Sequence, residues 1–325
     1  MKINLFALFI AFTTITKVNA QFTDVINSNR PGESMSAFAV GKTVIQIETG
    51  LSYVNEKHSI LDYNASGFNG DFNVRYGIFK EQLETILELN YQNDHYTSSN
   101  QTEYSRKGLK SSTLGLKYLV YDPFKSYKEK VNLYSWKANH KFKFRQLIPA
   151  VSVYAGGNLN FSTNPFLLNG EETSRFSPKG MLITQQILPG AWVFVTNFFI
   201  DKISAENQTS GYILTLTKGF NDKWSAYIEN KRLQNIFYTD LFFSTGAAYL
   251  VNDNLQIDGY ISKNINTTPD FLYAGIGLSW RSTNNYNEVM IRTSKKVKNK
   301  DKSKKEKKGK EKTKKRLDEV QVEKP

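Results

Sequence analysis

The chain has 325 residues, no cysteine, 14% aromatic residues and a formal net charge of +13, a length that allows one large domain or two smaller ones. Without a thiol, disulfide frameworks and thiolate metal sites are excluded. The charge is unevenly placed: residues 292–325 carry 16 Lys and Arg against 6 Asp and Glu, the start adds Lys2 and Lys17, and everything between is close to neutral.

Residues 1–20 read as a secretory leader, with Lys2, an apolar run from Leu5 to Ile15, and Val18-Asn19-Ala20 before Gln21. The run is too short to span a bilayer, and no later run approaches the roughly 20 apolar residues of a membrane helix. Residues 21–40 are polar with apolar spots, and Pro31 and Gly32 break regular structure there.

From residue 41 the dominant signal is a two-residue period, which sends alternate side chains to opposite faces of a strand. Over 41–54, Ile45, Ile47, Leu51 and Tyr53 oppose Gln46, Glu48 and Ser52; next, Phe72, Val74, Tyr76 and Ile78 oppose Asp71, Asn73 and Arg75. Leu83, Leu87, Leu89 and Tyr91 oppose Glu84, Glu88, Asn90 and Gln92, and Leu114, Leu116, Tyr118 and Val120 oppose Thr113, Gly115 and Lys117. Alternation also predicts strands over 146–158, 180–188, 192–201, 211–219, 224–231, 241–251, 255–262 and 271–280. In the last, Leu272, Ala274, Ile276, Leu278 and Trp280 face away from Tyr273, Gly275, Gly277 and Ser279, a closing-strand signal.

Twelve strands of about 9–14 residues suit a tilted crossing of hydrocarbon. Behind a secretory leader they predict an all-β fold: an antiparallel transmembrane barrel over 41–281 in the outer membrane, with residues 21–40 as a periplasmic segment tucked toward its mouth. A soluble sandwich would leave too much Leu, Ile, Phe and Tyr in water. Phe79-Lys80, Pro189-Gly190, Asn221-Asp222 and Asn252-Asp253 read as tight turns, whereas 93–106 and 160–179 read as longer polar loops. Short turns are periplasmic in such barrels, which puts both termini in the periplasm. The charged link 122–144 breaks that pattern and is predicted to form a small helix or plug. Tyr53, Tyr76, Tyr91, Tyr118, Trp192, Trp224, Tyr249 and Trp280 are placed for interface girdles.

Several short motifs give the chain a family likeness: Asn29-Arg30-Pro31-Gly32-Glu33-Ser34, Val40-Gly41-Lys42, Gln46-Ile47-Glu48-Thr49-Gly50, Gly115-Leu116-Lys117-Tyr118, Ile148-Pro149-Ala150-Val151-Ser152, and Asp222-Lys223-Trp224-Ser225 with Glu229. From about Ile26 to Arg281 the chain resembles the outer-membrane proteins labelled phenol-degradation MetA-pathway proteins, often called transporters. Members more often carry Asp at the position of Asn29. The resemblance implies a membrane barrel with a transport role.

Glu48, Asp71, Arg75, Glu84, Glu88, Lys117, Asp201, Glu229 and Asp258 fall on the lumen side of the predicted strands. Two arrangements fit: charges paired to fill a narrow lumen, or free carboxylates lining a cation-favouring pore. Arg75 and Lys117 are each placed to reach Glu84 or Glu88. A plugged lumen with paired charges favours a non-transporting accessory subunit of an outer-membrane assembly; an open one favours a transporter-like pore for small or apolar solutes. An enzyme is not expected. His58, His95 and His140 fall in separate links, and no strand sets a His beside a Ser. Metal spacings and phosphate-binding glycine loops are absent, so no cofactor is expected. The tail from 282 is predicted to be disordered, because from Lys295 to Arg316 apolar residues are almost missing and cannot offset its ordering entropy. Lys304, Lys305, Lys307, Lys308, Lys314, Lys315 and Arg316 would meet peptidoglycan, lipid head groups or a periplasmic partner rather than nucleic acid.

Overall fold

The computed structural model describes residues 25–98, 103–124, 147–160, 164–166, 175–203, 205, 207–236 and 238–283. Twelve antiparallel strands close into one barrel, each bonded to its sequence neighbours and the first to the last. The first six are β1 (Ile45–His58), β2 (Tyr63–Gly77), β3 (Leu83–Ser98), β4 (Glu103–Tyr121), β5 (Ala150–Leu159) and β6 (Phe176–Leu188). The last six are β7 (Trp192–Asp201), β8 (Thr209–Gly219), β9 (Trp224–Gln234), β10 (Thr239–Asn252), β11 (Leu255–Asn264) and β12 (Asp270–Ser282). The closing pair runs without a bulge from Ile45↔Ser282 to Lys57↔Asp270. Closure leaves no edge with unpaired backbone groups, the condition for a sheet to sit in lipid.

The outer face carries the apolar half of each alternation. Leu51, Ile228 and Ile276 are 55%, 60% and 70% exposed, values that fit a surface solvated by acyl chains rather than water. At the tight-turn end Tyr76, Tyr118, Trp192, Trp224, Tyr249 and Trp280 form one girdle, with Trp224 and Tyr249 in contact at 4.8 Å between ring centroids. Tyr53 and Tyr91 sit higher on the wall, Tyr53 edge-on to Phe68 at 6.0 Å.

The predicted loop 93–106 is mostly wall. β3 runs to Ser98, β4 starts at Glu103, and their pairing continues out to Thr97↔Glu103. Above the lipid both faces are wet, so hydropathy stops alternating while the backbone ladder goes on. For the same reason β2 begins at Tyr63, and strand lengths range from 10 to 19 residues. His58 and His95 therefore lie on β1 and β3, not in loops. The first strand starts at Ile45 instead of residue 41, because 41–43 make a turn, with positive φ at Gly41 and Thr43. Residues 1–24, 125–146 and 284–325 lie outside the described residues, and with them the leader, most of the link expected to form a helix or plug, His140 and the lysine tail.

Candidate functional site: a segment held across the lumen

Val25 to Val40 runs inside the barrel at its tight-turn end. Ile26 N–H bonds Asp253 O at 2.8 Å in the β10–β11 turn. The segment then meets β12 (Ser28 Oγ to Ser279 Oγ, 2.7 Å), β11, β9, β7 and β6 in turn. It reaches β5 through the Ser152 hydroxyl, which donates to Ala37 O at 2.5 Å, and β3 through Val40 N–H, which donates to Glu84 at 2.8 Å. The chain leaves the lumen at Gly41. A Cβ at Gly77 would overlap the Gly41 carbonyl, so only a glycine on β2 lets the turn pass this close.

An irregular segment cannot satisfy its own backbone, and a buried unpaired N–H or C=O is costly. The wall supplies the partners. Asn197 is bidentate on Met35, its Oδ1 accepting from Met35 N at 2.6 Å and its Nδ2 donating to Met35 O at 3.0 Å. Gln185 Oε1 accepts from the Ser36 hydroxyl and from Ala37 N, both at 2.9 Å. Glu229 accepts from the backbone of Glu33 at 3.1 Å and Ser34 at 3.3 Å, and from Thr215 at 2.7 Å.

Beside Val40 sits a buried charge cluster. Glu84 receives the Lys117 ammonium at 2.6 Å and the Arg75 guanidinium at 3.0 Å. Arg75 reaches Glu48 at 3.4 Å and also donates to Asn27 O at 2.8 Å and Phe38 O at 3.2 Å. Lys117 donates to Ser36 O at 2.7 Å and Phe38 O at 3.1 Å. Both cations thus serve the segment's carbonyls as well as the wall's carboxylates. Such a cluster is tolerated out of water because nearly every donor and acceptor is matched; Glu48 Oε2 is left without a partner.

Arg30 is the segment's own contribution. Its guanidinium bridges Asp258 on β11, at 3.2 Å, and Asp71 on β2, over the two strands between them, and lies over the Tyr260 ring at 5.9 Å. It rests on Gly50 and Gly277, register partners on β1 and β12, where a Cβ at either position would overlap it. The small inward face of the closing strand is therefore the seat of an arginine. At Gly275 a Cβ would instead crowd Ser52 and Tyr260.

The lumen is not uniformly polar. Met35, Ala37 and Phe38 pack on Ile86, Leu119, Ala150, Tyr154, Met181 and Ile183 of β3–β6. Above the segment the inward face carries rings and charges: buried Phe242 and half-buried Phe271 and Tyr273 cluster at 5.9–6.4 Å between centroids. Lys179 meets Glu88 at 3.5 Å, Asn158 meets Asp201 at 2.6 Å, and Arg106 holds Asp94 at 2.8 Å.

Of the nine lumen candidates, Glu48, Asp71, Arg75, Glu84, Lys117, Glu229 and Asp258 converge on the segment, whereas Glu88 and Asp201 stand above it, each with its own partner. None is a free carboxylate lining an open pore at the level of the segment. Sequence reasoning missed Arg30, Gln185 and Asn197. A signal existed for Arg30: the candidates hold seven acids against two bases, so a cation from elsewhere was needed. Contrary to the expectation that no strand sets a His beside a Ser, the ladder places His95 of β3 between Ser66 and Ser105, but on the outer face, exposed and 3.8 Å from Glu103.

An outer-membrane barrel of similar form is the COG4313 outer membrane channel from Pseudomonas putida F1, with a TM-score of 0.51 at 10% identity over 79% of this chain and 100% of that one. The translocator domain of the autotransporter NalP from Neisseria meningitidis gives 0.45 at 9% identity over 74% and 89%. No curated protein matches the sequence. The motifs that met at the segment, spread from Asn29 to Glu229, all fall within residues 28–282, the stretch matched by one family model, and the chain belongs to that family, described as "Putative MetA-pathway of phenol degradation".

Proposed function

We propose that the protein is an outer-membrane channel for small or apolar solutes, with its termini in the periplasm, in a state closed by its own N-terminal segment. The observation that carries this reading is the upper lumen, whose inward rings Phe271 and Tyr273 stand above a segment held by side-chain contacts and not woven into the wall. Partly exposed aromatic faces such as those of Phe271 and Tyr273 bind apolar solutes without demanding a matched hydrogen bond. The neighbouring solved channel and the family agree with a pore but name no solute for this chain. One observation favours a second reading: the matched charges and plugged lumen also suit an accessory subunit that anchors an assembly and transports nothing.

Single-channel recording in planar bilayers separates the two. The test compares the full barrel with a variant lacking residues 27–40, both verified as folded by heat-modifiable migration. Rare openings in the first and steady conductance in the second support the channel. Silence from both, in folded protein, sinks it and leaves the accessory reading.

A further inference from the structure

The lipid-facing wall holds a concavity of about 560 Å³ over β7–β12, sided by Phe194, Leu214, Leu216, Ile228, Phe243 and Ile261. Its floor forms because two outward side chains fold back onto the sheet. Asn230 donates to Phe242 O at 3.3 Å and Thr245 donates to Tyr227 O at 2.9 Å, so neither projects as far as its apolar neighbours. The concavity's sides are apolar and it opens toward the lipid.

The trough has a charged upper lip. Lys263, opposite Phe243 and Leu272 in the ladder, lines it directly. Arg232 is exposed one outward row higher on β9, between Tyr212 and Leu241. Leu272 precedes Trp280 by eight residues, which at about 3.3 Å per residue and roughly 40° of tilt sets Lys263 about 20 Å above the Trp280 girdle. The apolar band of such a barrel is about 25 Å tall, so the cations stand where head groups of the far leaflet lie. Lys263 also meets Asp270 at 3.4 Å, in an exposed pair weak enough to be shared with a stronger anion.

We propose that this trough and lip bind one lipid A anchor of the outer leaflet, an acyl chain in the trough and a phosphate between Arg232 and Lys263. Two cations above an apolar slot match a phosphorylated, multiply acylated lipid better than a zwitterionic one, whose amine would meet the same lip. The inference stands apart from the channel reading and depends on the tight turns being periplasmic.

Native mass spectrometry of the protein extracted from outer membranes in mild detergent tests it. One lipid A mass per barrel is expected on the wild type. R232Q/K263Q should weaken lipid A binding about thirtyfold, Ile228→Trp should weaken it by filling the trough, and Lys107→Gln, an outward cation on β4, should leave it unchanged. A wild type carrying no lipid, or a glycerophospholipid in its place, overturns the proposal. So does retention of lipid A by R232Q/K263Q, or equal loss in Lys107→Gln.

Discussion

Replacing Arg30 with Gln is the most direct test of how the segment is held. The change keeps a long polar side chain but removes the charge between Asp71 and Asp258, whose side chains are 18% and 0% exposed. Removing one partner from a fully buried pair costs about 3–5 kcal/mol; residual water near Asp71 reduces this to about 2–3 kcal/mol, a factor of about 30–150 in the docking equilibrium. The amides of Glu33, Ser34, Met35, Ala37 and Val40 are bonded to wall side chains and should be slow to exchange. Hydrogen exchange over 33–40 should quicken by that factor, with the strand amides unaffected. The triple variant R30Q/D71N/D258N should recover at least half of the loss, since removing all partners of a buried ion cluster is far less costly than stranding one. Exchange within threefold of wild type in folded Arg30→Gln would falsify the account of Arg30 as the clamp.

Gly277→Val should mimic Arg30→Gln in the exchange assay, because the added side chain occupies the guanidinium's seat; normal protection would mean that Arg30 has another place to rest. Trp280→Asp sets a charge on the lipid face of β12 at the girdle and should lower folded yield in an outer-membrane assembly assay, by about 1 kcal/mol or less at this depth if only insertion energy counts, and by more if closure of β1 on β12 is slowed. Removing residues 295–325 should leave heat-modifiable migration unchanged, since the ladder ends at Ser282; failure to insert would make the tail part of folding.

The barrel was legible in the sequence because its physics is local. A strand facing lipid on one side and a wet lumen on the other writes a two-residue period into every crossing, so Leu272 to Trp280 reveals strand, face and girdle without any partner in view. Where lipid ends, the period ends too, which is why Asn93 to Arg106 read as a loop while its ladder continued. The inward position of Glu48, Arg75, Glu84 and Lys117 followed from the same period.

What they do there did not. Glu84 gathers Lys117, Arg75 and Val40 only because β2, β3 and β4 lie side by side and an irregular segment returns across them. Gly50 and Gly277 stand more than two hundred positions apart, and read separately each is merely a small residue. Barrel closure makes them partners, and the space that two missing Cβ atoms leave is meaningful only once Arg30 fills it. Residues 25–40 carry no period, because their backbone is satisfied by distant side chains and not by a repeating ladder. Sequence alone therefore determined the wall, whose hydrogen bonds are regular and near in the chain; tertiary structure decided the plug, whose bonds come one at a time from every side of the barrel.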